Sequence, residues 1–166
     1  MIVRAEELGE ARAIRELVRH AFVGAAYSSG TEPLIVDGLR AAGALTLSLV
    51  AVEDGDIRGH IAASPVVLES PAGKWFGIGP VSVRPDCQRL GIGKLLVTEA
   101  LARLRAAGAA GCVVLGDPAY YSLFGFKHDP SAHYRDVPAP YFQLISFTGE
   151  RPTGSIEYHA AFDVTT

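Results

Sequence analysis

The 166-residue sequence lacks most of the features that declare a function outright. It holds two cysteines and five histidines. Cys87 and Cys112 stand in different segments with no CxxC pair, and no HExxH or comparable ligand spacing occurs, so neither a metal centre nor a redox pair is expected. The thiols read as small core hydrophobes. There is no polybasic block: 15 Lys and Arg are interspersed with 18 Asp and Glu for a net charge of -3, which argues against nucleic acid or anionic lipid as partner. Any anion site must therefore be local. No apolar run approaches the roughly 18 residues of a membrane span, and the opening MIVRAEELGE has too short an apolar core for a signal peptide. A cytoplasmic chain is expected. Repeats and low-complexity tracts are missing too, and 166 residues with 49% hydrophobic content suit one domain, 1–166.

What is present is a readable succession of elements. Residues 10–22 carry Ile14, Leu17, Val18, Ala21 and Phe22 at helical spacing. After the loop YSSGT, Thr31-Glu32-Pro33 predicts an N-cap, a favourable carboxylate and a first-turn proline for a second helix. LTLSLVAV and IRGHIAASPVVLE predict strands joined by a tight turn at Asp-Gly. WFGIGPVSV is a further strand, and its Gly77, Gly79 and Pro80 predict a bulge or locally broken pairing. Residues 91–107 return to helical period and stop at Gly108, followed by CVVLG, a buried strand. Strand, helix and strand make a right-handed βαβ unit with parallel strands. DPAYYSLFGF predicts a short helix from Asp117 to Gly125. YFQLISF and SIEYHAAF predict strands around a GERPTG turn, ending the chain as a hairpin or sheet edge. Such an edge could pair with a second copy, a homodimer.

The stretch CQRLGIGKLL, residues 87–96, places two glycines at a helix start, where N–H groups lack intrahelical partners and the helix dipole adds positive potential. The dinucleotide pattern GxGxxG fails at Leu96. The P-loop pattern fails at Gln88 and Leu95. A glycine turn made only for close helix–strand packing is the bland alternative.

VRPDCQRLGIGKLL resembles the acyl-CoA signature of the GNAT superfamily of N-acetyltransferases, with Gln88, Gly91 and Gly93 at the matching positions. YYSLFGF is similar to that family's aromatic-x-x-x-Gly-Phe segment. GTEPLIVDGLR, GHIAASPV, GPVSVRP and LGDPAYYSLFGF extend the likeness over nearly the whole chain, most like its YhbS-like branch. The resemblance implies a mixed α/β GNAT-like fold: a mostly antiparallel twisted sheet with a splayed parallel central strand pair and flanking helices. It implies acetyl-CoA as cosubstrate, a primary amine of a small molecule or peptide as acceptor, and direct attack without a covalent enzyme intermediate.

Carried onto this sequence, the resemblance puts the pyrophosphate on Gln88, Arg89, Leu90, Gly91, Ile92, Gly93 and Lys94. It lays the pantetheine arm beside Val81, Ser82 and Val83, with Tyr120 also near the cofactor. Tyr121, four residues before Gly125, stands where the family's proton-donating tyrosine stands, with Tyr120 its rival; plain aromatic packing is the alternative for both. No carboxylate sits on the strand before the glycines, where the family commonly has one. Glu32, His60 and Glu69 are the candidate bases, Glu32 first because its loop could border the acceptor cleft; a water relay is the alternative. Acceptor choice is expected to lie in the loops around GAAYSSGTEP and SAHYRDVPAPYF. A non-catalytic acyl-CoA-binding regulatory module and an NAD- or ATP-binding protein are the competing readings.

Overall fold

Strand β5 (Trp75–Val83) organises the fold, because it changes partners halfway along. The computed structural model describes residues 1–25 and 28–165; Ala26 and Tyr27 of the expected acceptor loop GAAYSSGTEP lie outside the described residues. Before β5 the chain forms β1 (Ile2–Ala5), α1 (Ala11–Phe22), α2 (Glu32–Ala41), β2 (Leu47–Glu53), β3 (Asp56–Pro65) and β4 (Val67–Leu68). After it come α3 (Ile92–Ala106), β6 (Gly111–Leu115), α4 (Pro118–Tyr121), β7 (Ala132–His133), β8 (Phe142–Ser146) and β9 (Gly154–Glu157). The main sheet has the order β1-β2-β3-β5-β6-β8, antiparallel throughout except for the parallel pair β5–β6.

Two observations locate the change of partner. Against β3, the register steps from Ile61↔Val81 to Ala63↔Ile78, so β5 carries one extra residue at Gly79-Pro80. Gly79 holds φ +134, a conformation that L side chains rarely adopt. Against β6, pairing runs only from Trp75↔Gly111 to Ile78↔Val114, and beyond that point β5 keeps β3 alone as its neighbour. The bulge turns the second half of β5 away from β6, and its outer edge is left without a strand.

Alternation along the strands divides the core between two faces. Leu49, Ala51, Ile61 and Ile78 pack with Leu96, Val97 and Ala100 of α3. Val50, from the other face of β2, packs with Ile14, Leu17, Val18 and Val36 under α1 and α2. Each Leu, Ile or Val among them contributes about 1.5–3 kcal/mol by leaving water. Helix α3 sits especially close to the sheet at Gly59, where a Cβ would stand 2.9 Å from both Ile92 and Leu96. Close helix–strand packing thus depends on a glycine of β3.

The Asp-Gly turn is observed, with positive φ at Asp54 and Gly55. Thr31 occupies the N-cap position of α2 but makes no capping bond; its hydroxyl is engaged by Ser29 Oγ at 2.5 Å. The expected terminal hairpin is corrected. β9 does not join the main sheet but lies between β4 and β7 in a three-stranded sheet, and residues 160–163 turn into a 3-10 helix. Both edges of β9 are occupied, which removes the argument for a second copy pairing there. Among the described residues no helix is long and apolar enough to cross a membrane.

Candidate active site

The glycine loop links the unpaired half of β5 to the start of α3. Gly91 holds φ +89 at the N-cap position, which ordinary residues take only with strain, and Arg89 adopts φ +64. The first helical N–H to find an intrahelical acceptor is that of Leu95, at 3.1 Å from the Gly91 carbonyl. The N–H groups of Ile92, Gly93 and Lys94 are therefore unused by the helix and sit at its positive end. Gln88 closes the loop, its Nε2 donating to the Val83 carbonyl at 3.1 Å. A cavity of about 380 Å³ opens over this turn, lined by Val83, Gln88, Arg89, Gly91, Ile92, Gly93, Lys94 and Tyr120.

Eight of the sequence-predicted binding residues thus meet in one place. Arg89 and Lys94 are exposed at its mouth, whereas the Ile92 side chain is buried in the α3 core, so Ile92 contributes its backbone. The other three predicted residues stand apart from this cavity. Leu90 points into solvent, 73% exposed. Val81 packs toward α3 and the Ser82 side chain is buried, so what they offer beyond the bulge is a backbone edge.

Helix α4 brings the two tyrosines to different positions. Asp117 caps it by accepting the Ala119 N–H at 2.9 Å, and Tyr120 then reaches back to the glycine loop: a Cβ on Gly93 would stand 2.9 Å from its hydroxyl. A side chain at the second glycine would crowd the far end of Tyr120. Tyr121 lies against Gly116, where any side chain would run into its ring, and packs edge-on to Phe126 with centroids 5.9 Å apart. Gly116 follows the last residue of β6, at the mouth of the gap between β5 and β6. Burial pushes the Tyr121 phenol up to about 12, with Tyr120 adding to the effect, so it keeps its proton at neutral pH.

The candidate bases separate clearly. Glu69 is occupied in the small sheet, its Oε2 accepting the Ser155 N–H at 2.6 Å. His60 is fully buried on β3 with Nε2 2.8 Å from Ser48 Oγ; burial and the nearby Arg40 guanidinium bring it down to about 3. A neutral imidazole so hard to protonate is a poor proton store at pH 7. Glu32, at the first position of α2, is 8% exposed; one carboxylate oxygen accepts from Ser28 Oγ at 2.7 Å, and the other is buried with no partner among the described residues. Sequence reasoning missed Tyr158, whose buried hydroxyl is also unpaired. Read as part of the strand SIEYHAAF, it gave no sign of this. The clearer signal was His60 and Ser64, polar residues four apart on the buried face of an apolar strand. An unpaired buried polar group costs about 1–3 kcal/mol.

The sequence matches the Acetyltransferase (GNAT) family over residues 11–126, which include β5, the glycine loop and α4. It is 35% identical over 170 residues to the uncharacterized N-acetyltransferase YhbS of Escherichia coli K12, covering 98% of this chain and 99% of that protein. Among solved structures, a GNAT family acetyltransferase from Brucella melitensis in complex with acetyl-CoA shares 49% identity at TM-score 0.86, over 98% of this chain and 97% of that one. The complex of E. coli YhbS with CoA superposes at TM-score 0.86 with 34% identity, over 99% and 93% of the two chains.

Proposed function

The chain belongs to the GNAT family of acetyltransferases, and from that premise we propose that it transfers the acetyl group of acetyl-CoA to a primary amine by direct attack in a ternary complex. The observation that carries this reading is the continuity of two features: a helix start with three free N–H groups, and a strand edge that loses its neighbour immediately before it. The first suits a pyrophosphate, with Arg89 and Lys94 at the rim as counter-charges. The second suits an extended amide-bearing arm, which can bond to Val81–Val83 as a strand would. Together they lead a thioester to the gap beside Gly116 and Tyr121.

The chemistry then makes three demands on the protein. The acceptor arrives as an ammonium with a pKa of ~10.4 and must lose a proton before its nitrogen can attack the carbonyl carbon. The oxyanion that forms needs a fixed donor, for which an N–H of the β5 edge near Val81–Val83 is the candidate. As the C–S bond breaks, Tyr121 gives its proton to sulfur and regains one from the newly bonded nitrogen. A free transfer from a phenol near 12 to a thiolate near ~8.5 would be uphill by roughly 5 kcal/mol, so the proton must move in step with C–S cleavage. One proton leaves for each amide formed.

Thiol release from acetyl-CoA across a panel of primary amines tests the proposal, with Tyr121→Phe as comparison. Acceptor-dependent release that collapses in the variant is expected. One observation favours a second reading, a non-catalytic acyl-CoA-binding module: β5 carries no carboxylate. Tight CoA binding with no acceptor-dependent release would select that module instead.

A further inference from the structure

A cavity of about 670 Å³, separate from the one over the glycine loop, is lined by Leu115, Gly116, Asp117, Val137, Pro138 and Tyr141. Alternation along β6 puts it on the face of the sheet away from α3. Cys112 and Val114 pack in the cluster that holds α3 and Tyr121, whereas Val113, Leu115 and Val137 belong to the other. Leu115 and Gly116 lie just past Ile78↔Val114, the last pair between β5 and β6, so the cavity borders the gap to which the thioester is led. A Cβ on Gly116 would stand 3.5 Å from Tyr121 Cζ. One glycine therefore separates the proton donor on one face from the cavity on the other.

The walls are fixed by bonds within the protein. The Gly116 N–H donates to the Tyr141 carbonyl at 3.0 Å, and the Gly116 carbonyl accepts from Gln143 Nε2 at 3.3 Å, so both backbone groups of this residue are engaged. The Tyr141 N–H closes a turn onto the Pro138 carbonyl at 2.9 Å. At the other end of the loop Arg135 donates to Asp163 at 2.7 and 3.1 Å and to Glu157 at 3.0 Å, which commits its guanidinium. Leu115, Val137, Pro138 and Tyr141 present apolar surface, and among the described residues Asp117 is the one charge in the lining. Its Oδ1 caps α4, and its other oxygen has no partner among the described residues. A cavity of this size suits a small molecule, and these walls suit an apolar body. A ligand carboxylate beside Asp117 would meet a like charge with no cation in the lining to offset it.

We propose that this cavity seats the body of the acceptor, and that the acceptor is a primary amine on an uncharged apolar skeleton, an alkyl- or arylalkylamine rather than an amino acid or a polyamine. The inference rests on the acetyltransferase reading above and names the substrate class for it. The nitrogen lies at the Gly116 end, beside the thioester, and the skeleton runs between Val137, Pro138 and Tyr141. Asp117 stands at the reacting end, where its charge favours an arriving ammonium and disfavours a carboxylate on the same carbon. A second ammonium at the far end of the skeleton would lose water against apolar side chains with no anion beside it.

The test compares ethylamine, pentylamine, 1,5-diaminopentane and 2-aminohexanoate, the last being pentylamine with a carboxylate on the carbon that bears nitrogen. Ethylamine and pentylamine are almost equally basic, so their difference reads the skeleton alone. kcat/KM is expected to rise about two- to fourfold per added methylene, roughly 10- to 60-fold between them. The diamine and the amino acid should each fall about 10-fold or more below pentylamine. Val137→Asp and Tyr141→Asp should bring pentylamine down toward ethylamine and leave the KM for acetyl-CoA within about twofold. Asp117→Asn keeps an oxygen to cap α4 and removes the charge, so the preference for pentylamine over 2-aminohexanoate should shrink about 10-fold. Rates independent of chain length, a length dependence that survives both wall variants, or a diamine or amino acid used as well as pentylamine overturn the proposal. A crystal structure with CoA and pentylamine needs no turnover: the alkyl chain must lie between Val137 and Tyr141. A chain bound elsewhere, or not at all, refutes the seat even if a wall variant fails to fold. If no amine is acetylated yet the chain occupies this cavity, the acetyltransferase reading fails and the binding site stands.

Discussion

Replacing Gly93 by alanine separates the needs of the fold from those of the ligand. The new Cβ would stand 2.9 Å from the Tyr120 hydroxyl, a few tenths of an ångström too close, and 4.0 Å from both Tyr120 Cζ and Val83 Cγ2. Tyr120 sits on a one-turn helix and its hydroxyl is the far end of the side chain, so a small shift relieves the contact. Alanine also favours a helical position over glycine by roughly 0.5–1 kcal/mol, so the melting temperature should be unchanged or slightly higher. The ligand fares differently, because the methyl stands among the lining of the cavity over the first turn. One charge-assisted N–H bond to a phosphate, worth about 1.5–3 kcal/mol, is lost if the phosphate is held off. The Kd for CoA should then rise about 10- to 150-fold. Isothermal titration of the wild type, Gly93→Ala and the double variant with Tyr120→Phe measures this. The double variant removes the crowded oxygen; affinity that returns with it assigns the effect to a displaced tyrosine, whereas persistent weakness assigns it to the methyl, the expected outcome. A folded Gly93→Ala protein that binds CoA as the wild type does would refute the placement of the pyrophosphate.

Three further outcomes are expected. Tyr121→Phe should lower kcat by about 10²-fold or more with little change in the KM for acetyl-CoA, and the wild-type rate should show no basic limb from this group below about pH 11, read from a pH–rate profile. His60, down at about 3 in the fold against ~6.5 unfolded, contributes stability that is fully present above pH 6.5 and lost as pH falls toward 3, so thermal melts should decline over that window, and His60→Gln should flatten the decline. Gly111→Ala drives a methyl into the Trp75 ring and the Ile145 carbonyl and should cost about 1–3 kcal/mol or more in urea unfolding.

Much of the glycine loop and its flanks was legible because its determinants are local. Gly91 needs its φ whatever surrounds it, Asp117 caps its own helix, and Gly79-Pro80 marks a break by chemistry carried in two residues. The terminal strand was misplaced because alternation tells which face is buried but never names the neighbour; β9 alternates correctly and pairs in another sheet. The packing under α2 was the least readable. Nothing local to Ser64 or Tyr158 reveals that Tyr158 closes the space beside Gly77 of β5 or that the residues after β9 run onto Gly38 of α2, since those contacts exist only after long-range packing is made.

The early end of the β5–β6 pairing has one more consequence. Among the described residues, the strand pairing that joins the β1-β2-β3-β5 half of the sheet to the β6-β8 half is the four pairs from Trp75↔Gly111 to Ile78↔Val114. In thermodynamic terms the free protein is two partial sheets sharing a short seam, and a ligand extended along Val81–Val83 acts as the missing length of that seam. Binding free energy and folding free energy are then partly the same quantity, so melting temperature should climb with CoA concentration. Amide exchange should slow at the far ends of β5 and β6, away from the phosphate cradle, as the two halves come to open as one cooperative unit.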